Sequence, residues 1–284
     1  MTQPARRAQT LSVALPASLT LDIPHLREKT ARLGFASRAL ATFRVEQAII
    51  YRDRAGAEVD REAALIEKML KYIETPQYLR RLLFKMDPDL QYAGTLPPLR
   101  TPNHPDKQNP SPGLLREGVV VQSGPSSMIE AGFRNLVRIK SNLPTSNRIT
   151  VRLTKNSPDL EGEIVEPSGL TIYWGFRVAR GNVSLSEIIR SRKFDLTIST
   201  SRKGVNVLEI ASDLRKMWKS ALCPLIVFGS PSEGVPEILA RSGMNVSDSM
   251  DFNLNTIPDQ GVETVRTEEA LWSSLAVLSV LEEK

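Results

Sequence analysis

The chain has 284 residues, 41% hydrophobic and 24% charged, with a formal net charge of +5; such a composition supports a buried core and excludes global disorder. One cysteine, Cys223, and two histidines, His25 and His104, exclude a disulfide framework and a CxxC cluster, and no metal site is expected. No apolar run approaches the ~18 residues of a membrane helix, and Pro16, Asp22 and Pro24 interrupt the mildly apolar stretch behind Arg6 and Arg7, so neither a membrane span nor a signal peptide is expected and the expected address is cytoplasmic.

Residues 11–21, LSVALPASLTL, read as a buried strand. An amphipathic helix is expected over 24–45, a second strand over 46–51, and a helix from Asp60 to about Phe84. In that helix Leu65, Ile66, Met69, Leu70 and Ile73 recur at helical spacing. Pro76 should kink or split it. Six of the nineteen prolines then fall between Pro97 and Pro112, a texture that fits a linker or an ordered binding loop and excludes helix and central strand. Over residues 113–167 no helical period appears. Turn residues separate the short segments REGVVVQSG, NLVRIKSN, RITVRLTK and EGEIVEP; Val119–Val121, Leu136–Ile139 and Ile149–Leu153 mark three strands, and the size and strand count suit an OB-like barrel.

Strand and helix then alternate. LTIYWGFRVA (170–179) reads as a strand, and Ser184 with Glu187 forms a capping box for the helix behind it. DLTIST is a strand, VNVLEIASDLRKMWKSA a helix, PLIVFG a strand, and a helix with Pro236 in its first turn follows. DFNLNTI is the last strand, and the last helix covers about 264–281 with Leu271, Leu275 and Leu278 on one face. This rhythm predicts an α/β fold with a mostly parallel sheet. It divides the chain into residues 1–95, a first α/β half; 96–168, the proline-rich loop and an all-β insert; and 169–284, the second half.

Charge sharpens the division. Residues 99–155 hold nine Lys/Arg against three Asp/Glu, whereas residues 221–284 hold three against ten. The basic insert suits a polyanion such as a nucleic-acid backbone, and a solvated basic surface accounts for it equally well.

Most standard catalytic motifs are missing: no P-loop, no GxGxxG, no HExxH and no GxSxG. Cys223, before a hydrophobic strand, is expected to be buried. His104, among prolines, reads as a loop histidine, with an acid–base role as the alternative. Three glycine-bearing corners at successive strand ends are left: ISTSRKG (198–204), FGSPSEG (228–234) and NTIPDQGVETVR (255–266). In open α/β sheets ligands bind beyond the carboxyl ends of strands.

NTIPDQGVETVRTEEAL resembles the C-terminal signature of the SPOUT RNA methyltransferases, and FGSPSEG resembles their glycine loop. ETPQYLRRLLF, YAGTLPPLRTPNHP and YWGFRVA resemble, more narrowly, the RNA uridine-N3 methyltransferases of archaea and eukaryotes. The resemblance covers nearly the whole chain. It implies a SPOUT trefoil-knot domain carrying an inserted OB-like barrel, S-adenosyl-L-methionine as methyl donor, a structured RNA such as ribosomal RNA as substrate, and a homodimer, for which the apolar face of the last helix is a candidate contact, though an ordinary core-facing helix explains that face equally well. Carried onto this sequence, the cofactor corners are Thr200, Ser201 and Gly204; Gly229, Ser230, Glu233 and Gly234; and Asn255, Thr256, Ile257, Pro258, Gln260 and Gly261. Ser230-Pro231-Ser232 stands where many SPOUT enzymes have a shorter Gly-Pro-Glu-Gly.

Methylation of uridine N3 requires removal of a proton and stabilisation of charge on the uracil oxygens. Arg202 or Arg266 suits the second role, and Glu233 or Asp259 the first; the alternative is that Arg202 and Lys203 only touch phosphate and that Arg266 pairs with Glu263 or Glu269 at the helix start. RNA contacts are expected from Arg100 and His104 on the proline-rich loop, and from Arg134, Arg138, Lys140, Arg148, Arg152 and Lys155 in the insert. Phe133 is the only aromatic in 99–155, which favours backbone or shape recognition over base stacking. Two other readings stay open: a non-catalytic RNA-binding or ribosome-assembly protein on the same fold, and an α/β enzyme with another nucleotide ligand.

Overall fold

The computed structural model describes residues 3–106 and 108–281. The chain forms two compact units. One comprises Arg7–Lys71, Tyr92–Pro97 and the chain from Phe176 onward; the other comprises the residues up to Arg6, Tyr72–Gln91 and Pro98–Gly175.

The first unit is built on six parallel strands: β1 (Ser12–Pro16), β2 (Gln47–Arg52), β8 (Arg177–Ser184), β9 (Leu196–Asn206), β10 (Pro224–Val227) and β11 (Phe252–Asn255), in the order β11-β9-β10-β1-β2-β8. Helices α1 (Leu26–Thr42), α2 (Ala57–Glu74), α4 (Leu185–Arg190), α5 (Ala211–Ser220), α6 (Val235–Ala240), α7 (Val246–Ser249) and α8 (Thr267–Val280) alternate with them; α3 (Gln77–Leu83) belongs to the other unit. Ala14, Ile49, Tyr51, Leu225 and Val227 pack against Leu185 and Ile188 of α4 and Val235, Ile238 and Leu239 of α6. Alternation sends Val13, Leu15 and Ile50 to the opposite face, where they are also fully buried. A sheet covered on both faces needs the near-continuous apolar runs seen in SVALP and PLIV.

Strand order reverses between β1 and β10. From β1 the chain steps outward to β2 and then β8. It crosses back to β9, fills the gap with β10, and ends the sheet at β11. The carboxyl ends of β9, β10 and β11 therefore lie side by side.

The second unit holds a closed barrel, β3-β4-β5-β7-β6, from β3 (Leu115–Gln122), β4 (Ser127–Glu130), β5 (Val137–Ile139), β6 (Arg148–Lys155) and β7 (Leu160–Ile164). Val120, Ile129, Val137, Ile139, Val151, Leu153 and Leu160 fill it. Three of its five strands, β3, β5 and β6, carry the marked apolar runs, and EGEIVEP overlaps β7. β4 is too short for alternation to show, and the turns around it mask its pairing with β3 and β5.

Several boundaries also differ from expectation. The helix from Asp60 breaks after Glu74, with Pro76 as the N-cap of α3. Tyr173, Trp174 and Phe176 are buried without forming a strand, and the ladder starts at Arg177. β9 runs on to Asn206, displacing the start of α5 to Ala211. Cys223 is half-buried rather than buried, its N–H donating to Asp195 Oδ1 at 2.8 Å. The Ser184–Glu187 capping box is present.

The Leu271, Leu275 and Leu278 face of α8 turns inward, and Trp272 beside it lies 5.4 Å from Phe35 and 5.5 Å from Phe43 (ring centroids) at α1 and its C-cap. That face is core of the first unit, as the core-facing alternative expects, and is not open as a dimer contact.

Candidate functional site

The first corner is a bulge. Ser199 pairs with Asn253 of β11, yet the next β11 residue, Leu254, pairs with Val205. Thr200–Gly204 thus stand opposite a single step of β11 and are pushed out of the ladder. Gly204 returns the strand to register: a Cβ there would lie 2.5 Å from the Leu254 carbonyl carbon and 2.6 Å from Asn253 O, so only glycine permits the approach.

The second corner follows β10. Ser230 N donates to Glu233 O at 2.8 Å and Glu233 N to Ser230 Oγ at 3.0 Å, closing the loop on itself. Tyr51 of β2, fully buried, donates its hydroxyl to Phe228 O at 2.7 Å, and burial raises the Tyr51 pKa so that it stays a donor. In the third corner Asn255 Oδ1 accepts from Ile257 N at 3.0 Å.

The corners interlock. Asn255 Nδ2 donates to Arg202 O at 3.1 Å, the Arg202 guanidinium donates to Glu263 O, and Thr267 Oγ1 at the start of α8 donates to Gly229 O at 3.2 Å. Together they wall a cleft of about 300 Å³, within the range of small-molecule sites. Phe228, Leu254, Ile257 and Ala270 give it apolar surface.

Of the thirteen residues expected at the cofactor corners, Thr200, Ser201, Gly229, Ser230, Glu233, Gly234, Asn255, Thr256, Ile257 and Gln260 line this cleft. Gly204, Pro258 and Gly261 belong to the same corners but lie outside its wall. Arg202 lines it and Arg266 does not; Arg266 is the N-cap residue of α8, its N–H bound to Glu269 Oε2 at 2.9 Å. Glu233 lines the cleft with its carboxylate held by Arg241 Nη1, 2.6 Å from Oε2, and Arg241 Nη2 reaches Asp53 O. Asp259 is exposed, at φ 54°.

Tyr51, Arg241, Thr267, Lys203 and Glu237 were not foreseen. The hydroxyl of Tyr51, in an otherwise apolar strand, was the one available signal. Lys203 Nζ stands 3.7 Å from Glu237 Oε1, both in the cleft wall.

The expected RNA-binding residues fare differently. Arg148, its side chain 28% exposed, is tied within the second unit. Its Nη1 and Nη2 meet Glu74 at 2.6 and 2.9 Å, and its Nε meets Glu117 at 2.7 Å. These carboxylates hold the Arg148 pKa above its ordinary value, although burial alone would lower it. Glu117 also accepts from Thr150 at 2.6 Å and from Trp174 Nε1. His104 donates Nε2 to Glu74 O, and burial lowers its pKa to about 4, so it is neutral at pH 7. Arg148 and His104 are both half-buried, the first engaged by two carboxylates and the second by a backbone carbonyl.

Arg138, Lys140 and Lys155 converge on Glu161 at 3.0, 3.8 and 3.7 Å, and Arg152 pairs with Glu163 at 3.1 Å. These acids lie on β7, beyond the stretch whose charge was counted as basic. Residues 113–166 as a whole carry seven Lys/Arg against six Asp/Glu, so the barrel is nearly neutral. Arg100 and Arg134 are exposed, and no carboxylate among the described residues engages them.

No helix of the described residues is long and apolar enough to cross a membrane. Residues 10–278 match the model of a family described as "Putative RNA methyltransferase". The chain is 30% identical to an uncharacterised protein of Halobacterium salinarum, over 96% of this chain and 100% of that protein. It is 33% identical to the human 28S rRNA (uridine-N(3))-methyltransferase, over 96% of this chain and 78% of that protein. The corresponding Drosophila melanogaster enzyme is 31% identical, over 95% of this chain and 61% of that protein. A match spanning both units, with a ligand-sized cleft at the strand ends, makes this chain a member of that RNA methyltransferase family.

Proposed function

We propose that the chain is an S-adenosyl-L-methionine-dependent methyltransferase of the SPOUT class acting on N3 of a uridine in ribosomal RNA. The observation that carries the reading is the convergence of three corners, from three adjacent parallel strands, on one interlocked cleft. The curated relatives named above supply the base and the atom. The trefoil knot, the OB-like nature of the barrel and a homodimer belong to the proposal on the strength of the family resemblance.

The cleft fits the donor in three respects. Its apolar surface suits the adenine, its backbone corners offer amide and carbonyl groups, and Glu263 in its wall, whose carboxylate meets no cation among the described residues, suits a cationic sulfonium. When bound, the donor supplies an activated methyl group. This chain's residues hold, orient and charge-compensate the reaction. Positioning alone is worth up to ~7–11 kcal/mol of barrier.

Arg202 is the proposed charge acceptor. Its guanidinium lines the cleft, leaves Glu263 O for the uracil oxygens, and stabilises the negative charge left as the N3 proton departs. Glu233 is the proposed proton acceptor and Arg241 its positioning residue. The target N3 lies on the Watson–Crick edge, so the base must be unpaired or extruded. Mass-spectrometric mapping of nucleosides in ribosomal RNA, with and without the chain, tests the reading: N3-methyluridine absent only without the chain supports it, and an unchanged modification profile overturns it.

A further inference from the structure

Arg116 of β3 differs from the other cations of the barrel. Five of the seven Lys/Arg in residues 113–166 meet carboxylates, as described above. Arg116 is 3% exposed, yet its Nε and Nη1 lie buried with no acceptor among the described residues. Its guanidinium carbon stands 5.1 Å from the ring centroid of Phe133, a half-buried side chain. An arginine cannot shed its charge by deprotonation, and a buried charge without a partner is a standing cost to the fold.

The segment that presents Phe133 is fixed. Gly132 adopts φ 78°, and a Cβ there would lie 2.9 Å from the Tyr78 ring. Its N–H donates to Glu130 Oε1 at 2.8 Å, and Tyr78 donates its hydroxyl to Glu117 O at 2.8 Å. Exposed Arg134 follows directly in the chain. An unsatisfied guanidinium, a held aromatic ring and an open arginine thus share one corner of the barrel, while the face carrying Arg138, Lys140, Arg152 and Lys155 is neutralised by its own acids.

We propose that Arg116, Phe133 and Arg134 form a docking site for one nucleotide of single-stranded RNA. The phosphate pairs with Arg116, Arg134 adds charge at the rim, and the base lies against the exposed part of Phe133. The inference rests on the reading of the chain as an RNA-binding enzyme and gives the barrel's one aromatic a part in stacking.

The test is fluorescence anisotropy of the full chain with a labelled oligouridylate of about twelve nucleotides, within the span of one such barrel, over a series of salt concentrations. Arg116→Met is expected to bind about tenfold more weakly, the value of one charged hydrogen bond. Its log–log salt slope should be shallower by about 0.7, and it should melt no lower than the unsubstituted chain. Arg116→Lys should keep the slope and lose part of the affinity. Unchanged binding by both Arg116→Met and Phe133→Leu overturns the site alone. Absence of binding by the unsubstituted chain overturns the RNA-binding reading together with the site. Should Arg116→Met not fold, cross-linking of a 4-thiouridine oligomer to the unsubstituted chain decides. Attachment within residues 132–135 supports the site, and attachment only elsewhere overturns it.

Discussion

Removing Arg148 tests whether it is an internal tie or an RNA contact. Its guanidinium makes bonds of 2.6, 2.9 and 2.7 Å to Glu74 and Glu117, whose side chains are only 10% and 6% exposed. Arg148→Met strands both carboxylates. Breaking a buried pair from one side costs about 3–5 kcal/mol, a large part of the ~5–15 kcal/mol that holds a typical domain together. Asn103, Thr150 and Trp174, which share the two acids, lose their anchor as well. Trp174 is the one tryptophan of the barrel unit, the others being Trp218 and Trp272, so its fluorescence during urea unfolding follows that unit. The unit is expected to unfold at a markedly lower urea concentration. The triple variant Glu74→Gln, Glu117→Gln, Arg148→Met should recover much of the loss, because no charge is left unpaired. A single variant that loses under 1 kcal/mol while RNA affinity falls would refute the reasoning and return Arg148 to the RNA surface.

Three further outcomes are expected. The His104 pKa is lowered to about 4 by burial, below the unfolded value of 6.5, so its contribution is present above pH 6.5 and is lost as pH falls toward 4. The loss is at most about 3 kcal/mol; urea midpoints between pH 7 and 4 should show it, and His104→Gln should flatten that part of the profile. Glu161→Gln frees Arg138, Lys140 and Lys155 and should raise RNA affinity; an unchanged or lower affinity in anisotropy removes that face from the interface. Tyr51→Phe leaves Phe228 O unpaired beneath the glycine corner, costing about 1–3 kcal/mol in thermal unfolding and weakening S-adenosylhomocysteine binding; a stable variant with full affinity contradicts the support given to that corner.

Local chemistry was legible in the sequence. The Ser184–Glu187 box, the break at Pro76 and the buried strands SVALP and PLIV follow from short-range pattern alone. The three glycine corners were legible as turns, and a topology that sets β9, β10 and β11 side by side turned them into one cleft. Long-range pairing was not legible. Nothing local says that Arg148 meets Glu74, that Tyr51 supports Phe228, or that five residues of β9 oppose one step of β11. The charge of the insert misled because the acids that neutralise it, Glu161 and Glu163, follow the basic stretch in sequence and adjoin it only when β7 pairs with β5 and β6. The leucine stripe of α8 fits core and interface alike, and contacts with α1 settle it as core.

The central claim is that the corners at Thr200–Gly204, Gly229–Gly234 and Asn255–Gly261 grip a methyl donor. Isothermal titration calorimetry of the full chain with S-adenosylhomocysteine measures this without RNA or turnover. One molecule bound per chain in the micromolar range, abolished by Gly204→Val, whose side chain must push β9 away from Leu254, is the predicted result. No heat of binding from the correctly folded, unsubstituted chain would contradict it.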